Sequence, residues 1–162
     1  MSNCRFCEII KNHESLDDEE VVFENNEFIV ITDKYRKTSA GSICLIIPKE
    51  HYPNLLEINE ELEISLIKVI KLVSKAVEIA FDCKGLRIWT AVNKEAGQSI
   101  FHLHVHIVPC NSIMDRFIAA FPGVYDLALK IMKFGRNKLN KNQNFEFAEK
   151  IRTQIKKLVT QG

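Results

Sequence analysis

Residues 102–108 read His-Leu-His-Val-His-Ile-Val. Neighbouring side chains of an extended strand point to opposite faces. His102, His104 and His106 then share one face, and Leu103, Val105 and Ile107 share the other. The alternation predicts a strand over 101–108 that rests on an apolar core and gathers three of the chain's five histidines on one side.

The rest of the chain supplies the elements such a strand needs. Two β-rich runs, 21–24 and 27–31, flank Asn25-Asn26, a pair that tolerates positive φ, and read as a hairpin. Residues 42–47 form a third strand closed by Pro48. Residues 59–82 are the clearest helix, with Asn59 as N-cap and Gly85 just past the end. Its apolar face is Leu62, Leu66, Val69, Ile70, Val73, Val77 and Phe81. Residues 86–92 form a fourth strand, and the histidine strand is the fifth. Residues 115–134 read as an irregular helix interrupted by Pro122-Gly123, and 144–160 as a terminal amphipathic helix. Hairpin-joined strands, one long helix and no βαβ alternation predict an α+β domain with an antiparallel sheet.

A length of 162 residues suits one domain. With 46% hydrophobic and 27% charged residues, the composition excludes collagen-like, disulfide-dense and strongly disordered classes. No apolar run approaches the roughly 20 residues that span a bilayer, and the start of the chain lacks a basic region followed by an apolar one. The expected location is the cytoplasm, with no membrane partner. Charge is uneven: residues 1–63 hold 6 Lys/Arg against 14 Asp/Glu, and residues 130–162 hold 9 against 2. A basic end can attract nucleic acid, but nucleic acid is not the expected partner. A solvated basic helix facing an acidic patch of the same protein is the simpler reading. Of the five cysteines, Cys44 and Cys83 lie in apolar patterns and read as small buried hydrophobes. Cys4 and Cys7, spaced Cys-x-x-Cys, can reach one ion.

Three convergent imidazoles suit two chemistries. They are metal ligands near neutral pH, and a neutral imidazole is also a nucleophile. The residues alone leave both open.

The ordered motifs resemble the histidine triad (HIT) superfamily, whose signature is His-x-His-x-His-x-x with apolar x. Besides 102–108, Ile46-Ile47-Pro48-Lys49-Glu50-His51 matches the family's apolar-Pro-Lys-x-x-His segment. Asn93 and Gly97-Gln98-Ser99 match the elements before the triad. Cys4-x-x-Cys7 with Glu8-Ile9-Ile10 matches the start of many bacterial members. The resemblance spans roughly residues 3–110, and departs from the family pattern at Arg36-Lys37 and Ser42. It implies a five-stranded antiparallel sheet with one long helix and short N- and C-terminal helices. Residues 1–110 would be the HIT domain and 111–162 a helical basic extension packed on it.

The resemblance also implies roles. His104 would attack the α-phosphorus of a nucleotide through Nε2 and form a covalent nucleotidyl-histidine that water hydrolyses. Its Nδ1–H would be fixed by a backbone carbonyl, that of His102. His106 would donate to the phosphate oxygens, and Ser99 would bond the phosphate or leaving group. Asn93 and Gln98 would be polar contacts on the phosphate side, and Asp33 would accept from the ribose hydroxyls. Phe6, Phe28 and Ile31 are candidates to flank the base. Cys4, Cys7, His51 and His102, separated by gaps of 2, 43 and 50 residues, would form a closed structural zinc site. No catalytic cofactor is implied, and family members form homodimers.

The expected activity is release of a nucleoside monophosphate from a purine nucleoside 5′-phosphoramidate or related conjugate. Pro109-Cys110, where dinucleoside polyphosphate hydrolases often have Pro-Arg, favours that branch over theirs. A metal-dependent enzyme using all three histidines as ligands and a non-catalytic nucleotide-binding module are the competing classes.

Overall fold

The computed structural model describes residues 4–12, 16, 20–38, 41–113, 115 and 141–161. Its regular elements are α1 (Arg5–Lys11), β1 (Val21–Glu24), β2 (Phe28–Lys37), β3 (Ser42–Pro48), α2 (Glu60–Phe81), β4 (Gly85–Trp89), β5 (Val105–Cys110) and α3 (Lys141–Thr160). The five strands form one antiparallel sheet in the order β1-β2-β3-β5-β4. The α+β architecture expected from the sequence is the one observed.

The sheet separates two cores. Strand alternation sends Phe28, Val30, Cys44, Ile46, Val105 and Ile107 to the back, where Leu66, Val73 and Val77 of α2 and Ala148, Ile151 and Ile155 of α3 cover them. Ile29, Ile31, Ile43, Leu45, Ile47 and Val108 face the front, where Phe6 and Ile9 of α1 pack on them. The back carries two long helices, whereas the front carries one of two turns.

Helix α2 starts as expected: Asn59 Oδ1 accepts the Leu62 N–H at 2.9 Å. Its other end differs. Asp82, not Gly85, takes the left-handed conformation (φ 46°) that stops the helix, and Gly85 begins β4. Asp is among the non-glycine residues that visit this region most readily. The hairpin also closes differently. Neither Asn25 nor Asn26 has positive φ. Asn25 Oδ1 instead accepts the Glu27 and Phe28 N–H groups at 2.9 and 2.7 Å, an Asx turn.

Helix α3 is tied to β1. The Arg152 Nε–H donates to the Val21 carbonyl at 2.7 Å, and its guanidinium pairs with Glu20 at 2.9 Å and with Glu149. At this point the basic tail does meet the acidic segment. The expected helix over 115–134 lies outside the described residues, apart from 115.

Candidate active site and metal centre

Strand β2 runs on to Lys37, past the expected end at 31, and two further boundary differences shape the site. The ladder of β5 begins at Val105, not at residue 101, and β4 ends at Trp89, not at 92. Val105 pairs with Ile46 of β3, and two residues further along β3 is Pro48, which has no N–H to offer a partner. Its carbonyl is taken by a side chain instead: the His102 Nε2–H donates to the Pro48 oxygen at 2.8 Å.

His102 and His104 thus sit just off the ladder, held by other bonds. The Leu103 N–H donates to the Tyr52 carbonyl at 2.6 Å. The Thr90 hydroxyl donates to the His104 carbonyl at 2.8 Å. The His104 Nδ1–H donates to the His102 carbonyl at 2.8 Å. The facing read from the alternation still holds. Leu103, Val105 and Ile107 are in the back core, whereas His102 and His104 lie edge-on to Phe6 of α1 at 5.8 and 5.1 Å between ring centroids.

The bond to the His102 carbonyl fixes the His104 tautomer, leaving the Nε2 lone pair unprotonated. Burial pushes the His104 imidazole below its ordinary pKa, with that same bond partly opposing the shift. A neutral ring with one nitrogen anchored and the other bearing a lone pair is what nucleophilic attack requires. The His106 ring lies 5.0 Å from that of His104 and stacks on Trp89 at 4.0 Å with 2° between planes.

His102 turns the other way. Its Nδ1 lies 3.5 Å from Cys4 Sγ and 3.5 Å from Cys7 Sγ, and His51 Nδ1 lies 3.2 Å from Cys7 Sγ. One donor atom from each of Cys4, Cys7, His51 and His102 fits within 4.8 Å of all the others. Tetrahedral zinc with Zn–S about 2.3 Å and Zn–N about 2.0 Å spaces S and N about 3.5 Å apart, so this donor set fits such an ion. The second nitrogen of His102 is committed to the Pro48 carbonyl, an outer-shell bond of the kind that fixes a metal-binding tautomer. Burial first, and then neighbouring Cys4, push the Cys7 thiol up; a cation between the sulfurs reverses that effect. This cluster could hold a metal ion, and among the described residues it is the group of His, Cys, Asp and Glu that could. The three triad histidines do not form such a group.

Asn93 (φ 69°) and Gly97 (φ 91°) bound a single 3-10 turn. Gln98, 3% exposed, binds it together: its Oε1 accepts the Asn93 N–H at 2.9 Å. Its Nε2 donates to the Pro53 and Ile100 carbonyls at 2.5 and 3.1 Å. Gln98 is thereby the loop's internal tie, with both amide hydrogens committed. Asn93 and Ser99 are exposed on this loop. Asp33 is buried on β2, and by strand alternation it shares the face of Ile29 and Ile31. Phe6 and Ile31 are in the front core; Phe28 is in the back core, on the opposite face of the sheet.

Sequence reasoning missed Trp89 and Thr90. The signal was the antiparallel register, which sets Trp89 directly opposite His106. It is readable only once the length of the intervening loop is known.

A family model described as the HIT domain matches residues 15–113. An uncharacterised HIT-like protein of Saccharolobus solfataricus is 38% identical over 106 residues, 65% of this chain and 73% of that protein. The adenylylsulfatase HINT3 of Arabidopsis thaliana is 31% identical over 108 residues, 67% of this chain but only 52% of that protein. Among solved structures, a hypothetical histidine triad nucleotide-binding protein from Sulfolobus tokodaii superposes with a TM-score of 0.73 at 34% identity. That match covers 96% of this chain and 93% of the other.

Proposed function

Because this chain belongs to the histidine triad family, we propose that it is a nucleotide hydrolase or nucleotidyl transferase acting through a covalent nucleotidyl-histidine. The substrate class is a purine nucleoside 5′-phosphate joined to an amine, a sulfate or a further phosphate. The observation that supports this reading is the hydrogen bond from His104 Nδ1 to the His102 carbonyl, 2.8 Å long, which leaves Nε2 as the nucleophilic atom.

In the first step the Nε2 lone pair attacks the α-phosphorus as the bond from phosphorus to the leaving group breaks. The leaving group departs with the electron pair and takes up a proton. In the second step water attacks the same phosphorus, the P–Nε2 bond breaks, and a nucleoside monophosphate leaves. Two displacements of moderate difficulty replace one of greater difficulty. His106 donates to the phosphate oxygens and Ser99 to the phosphate or leaving group, stabilising charge where it develops. Asp33 accepts from the ribose hydroxyls, and Asn93 presents the loop to the phosphate. Gln98 shapes that loop through its three bonds.

Cys4, Cys7, His51 and His102 would hold a structural zinc ion. Four protein ligands close its coordination sphere, so the ion supplies cross-linking rather than a reaction site. A homodimer is the expected assembly.

The test is release of AMP from adenosine 5′-phosphoramidate by the wild type and by His104→Ala, with excess EDTA throughout. Turnover by the wild type that the variant loses supports the reading. Wild-type activity that is lost in EDTA while the protein's bound metal content is unchanged, and that returns only with added metal, overturns it. Adenylyl sulfate and a dinucleoside polyphosphate run in parallel rank the leaving groups. The sulfate arm is suggested by the activity of the Arabidopsis relative.

A further inference from the structure

The end of β4 touches the triad twice. Trp89, its last residue, is the antiparallel partner of His106, and their rings lie face to face at 4.0 Å and 2°. Thr90, one residue on, donates its hydroxyl to the His104 carbonyl, where the ladder has stopped. His106 is 8% exposed, so its ring is walled by protein. A stacked partner removes the torsional freedom about χ2 that is otherwise broad for a histidine. The indole makes this contact at some cost: its N–H is buried and has no hydrogen-bond partner among the described residues, an arrangement that ordinarily destabilises.

We infer that Trp89 is a positioning residue for the third histidine, holding the His106 imidazole in the plane from which it donates to the transferring phosphate. The inference deepens the proposed reaction and rests on it. The stack positions a donor needed as charge develops on the phosphate, so its loss falls on kcat rather than on substrate binding. An aromatic pair contributes about 0.5–1.5 kcal/mol beyond area burial, which corresponds to roughly 2- to 10-fold in rate.

The experiment compares the metal-loaded wild type with Trp89→Leu and Trp89→Phe. Ring-proton NMR of His106, assigned with His106→Ala, reads the stack without reference to activity. In the wild type, stacking shifts these protons upfield; in Trp89→Leu the displacement is lost, and in Trp89→Phe it is kept. Kinetics with adenosine 5′-phosphoramidate then show kcat lowered roughly 2- to 10-fold in Trp89→Leu at nearly constant KM, and restored by Trp89→Phe. Phe also removes the unpartnered N–H, so that variant melts no lower than the wild type. A leucine variant with wild-type kcat, or one that raises KM alone, overturns the inference while leaving the reaction standing. A wild type with shifted His106 protons and no turnover of any nucleotide substrate overturns the proposed reaction, and the inference falls with it.

Discussion

The carbonyl of His102 accepts the Nδ1–H of His104 at 2.8 Å, while the imidazole of His102 faces Cys4 and Cys7 at 3.5 Å. One residue therefore serves the metal cluster with its ring and the candidate nucleophile with its backbone. Phe6, between the two cysteines on α1, touches both rings. The candidate metal site and the candidate nucleophile share a scaffold.

Cutting the metal side of that scaffold should disturb the other. Cys4→Ser/Cys7→Ser is expected to lose bound zinc by elemental analysis and to melt at a much lower temperature. Structural zinc supplies apparent stabilisation on the order of 10 kcal/mol. Activity falls with it, because α1 and Phe6 are no longer anchored. The wild type keeps turning over in EDTA for as long as its metal content is unchanged.

His104→Ala is expected to lower the rate on the order of 10³-fold or more, with little change in melting temperature. Rapid-quench labelling with a nucleotide carrying ³²P at the α-phosphorus should trap phosphorus on the wild type and none on the variant.

Gln98→Ala removes three hydrogen bonds that tie the 93–100 loop. A stability loss of about 1–3 kcal/mol is expected from the buried groups left behind, read by urea denaturation. Both kcat and KM worsen, because Asn93 and Ser99 lose their placement together.

Cys44 gives a pH signature on the face of the sheet opposite the histidines. Burial, and then the charge of Asp33, push its thiol up to about 12 from 9.0. Below pH 9 the folded and unfolded thiols are both protonated, and the group's stabilisation is fully present. Above that the unfolded chain releases its proton while the folded one retains it, so stability declines as pH rises towards 12. Urea melts across this range should show a steeper alkaline fall in the wild type than in Cys44→Ala. In native protein at pH 8 the thiol resists iodoacetamide.

Ile151→Ala tests how far α3 belongs to the core. Ile151 is fully buried with residues of α2 and the sheet, so truncation costs about 2–5 kcal/mol. A single unfolding transition shifted as a whole is expected. A second, separate transition would mean that 111–162 is an independent unit.

The elements legible in the sequence were those whose burial is periodic. The face of α2 from Leu62 to Val77 and the alternation from Leu103 to Ile107 both record which side meets a core, and both are observed. Ends were harder to read. Asp82 supplied the αL stop because the chain turns there into β4, something local preference for Gly85 could not show. The β5 ladder stopped short because Pro48, remote in sequence, has no N–H and gives its carbonyl to a side chain. Trp89 escaped notice because its role comes from cross-strand register with His106 rather than from a local motif. The set of candidate metal ligands followed from the family resemblance, but the sharing of His102 between two tasks needed its backbone in place.

The front face depends on contacts between segments far apart in the chain. Cys4 meets His102 across a sequence separation of 98, while α1, at 7 residues, is too short to persist alone in water. Loop-closure entropy disfavours forming such a contact before the sheet exists. During synthesis the thiols of Cys4 and Cys7 therefore wait for the triad to emerge, and the site closes only after β3 and β5 have paired. The candidate site is thus a late product of folding, and a chain halted before residue 102 exposes a pair of open thiols instead.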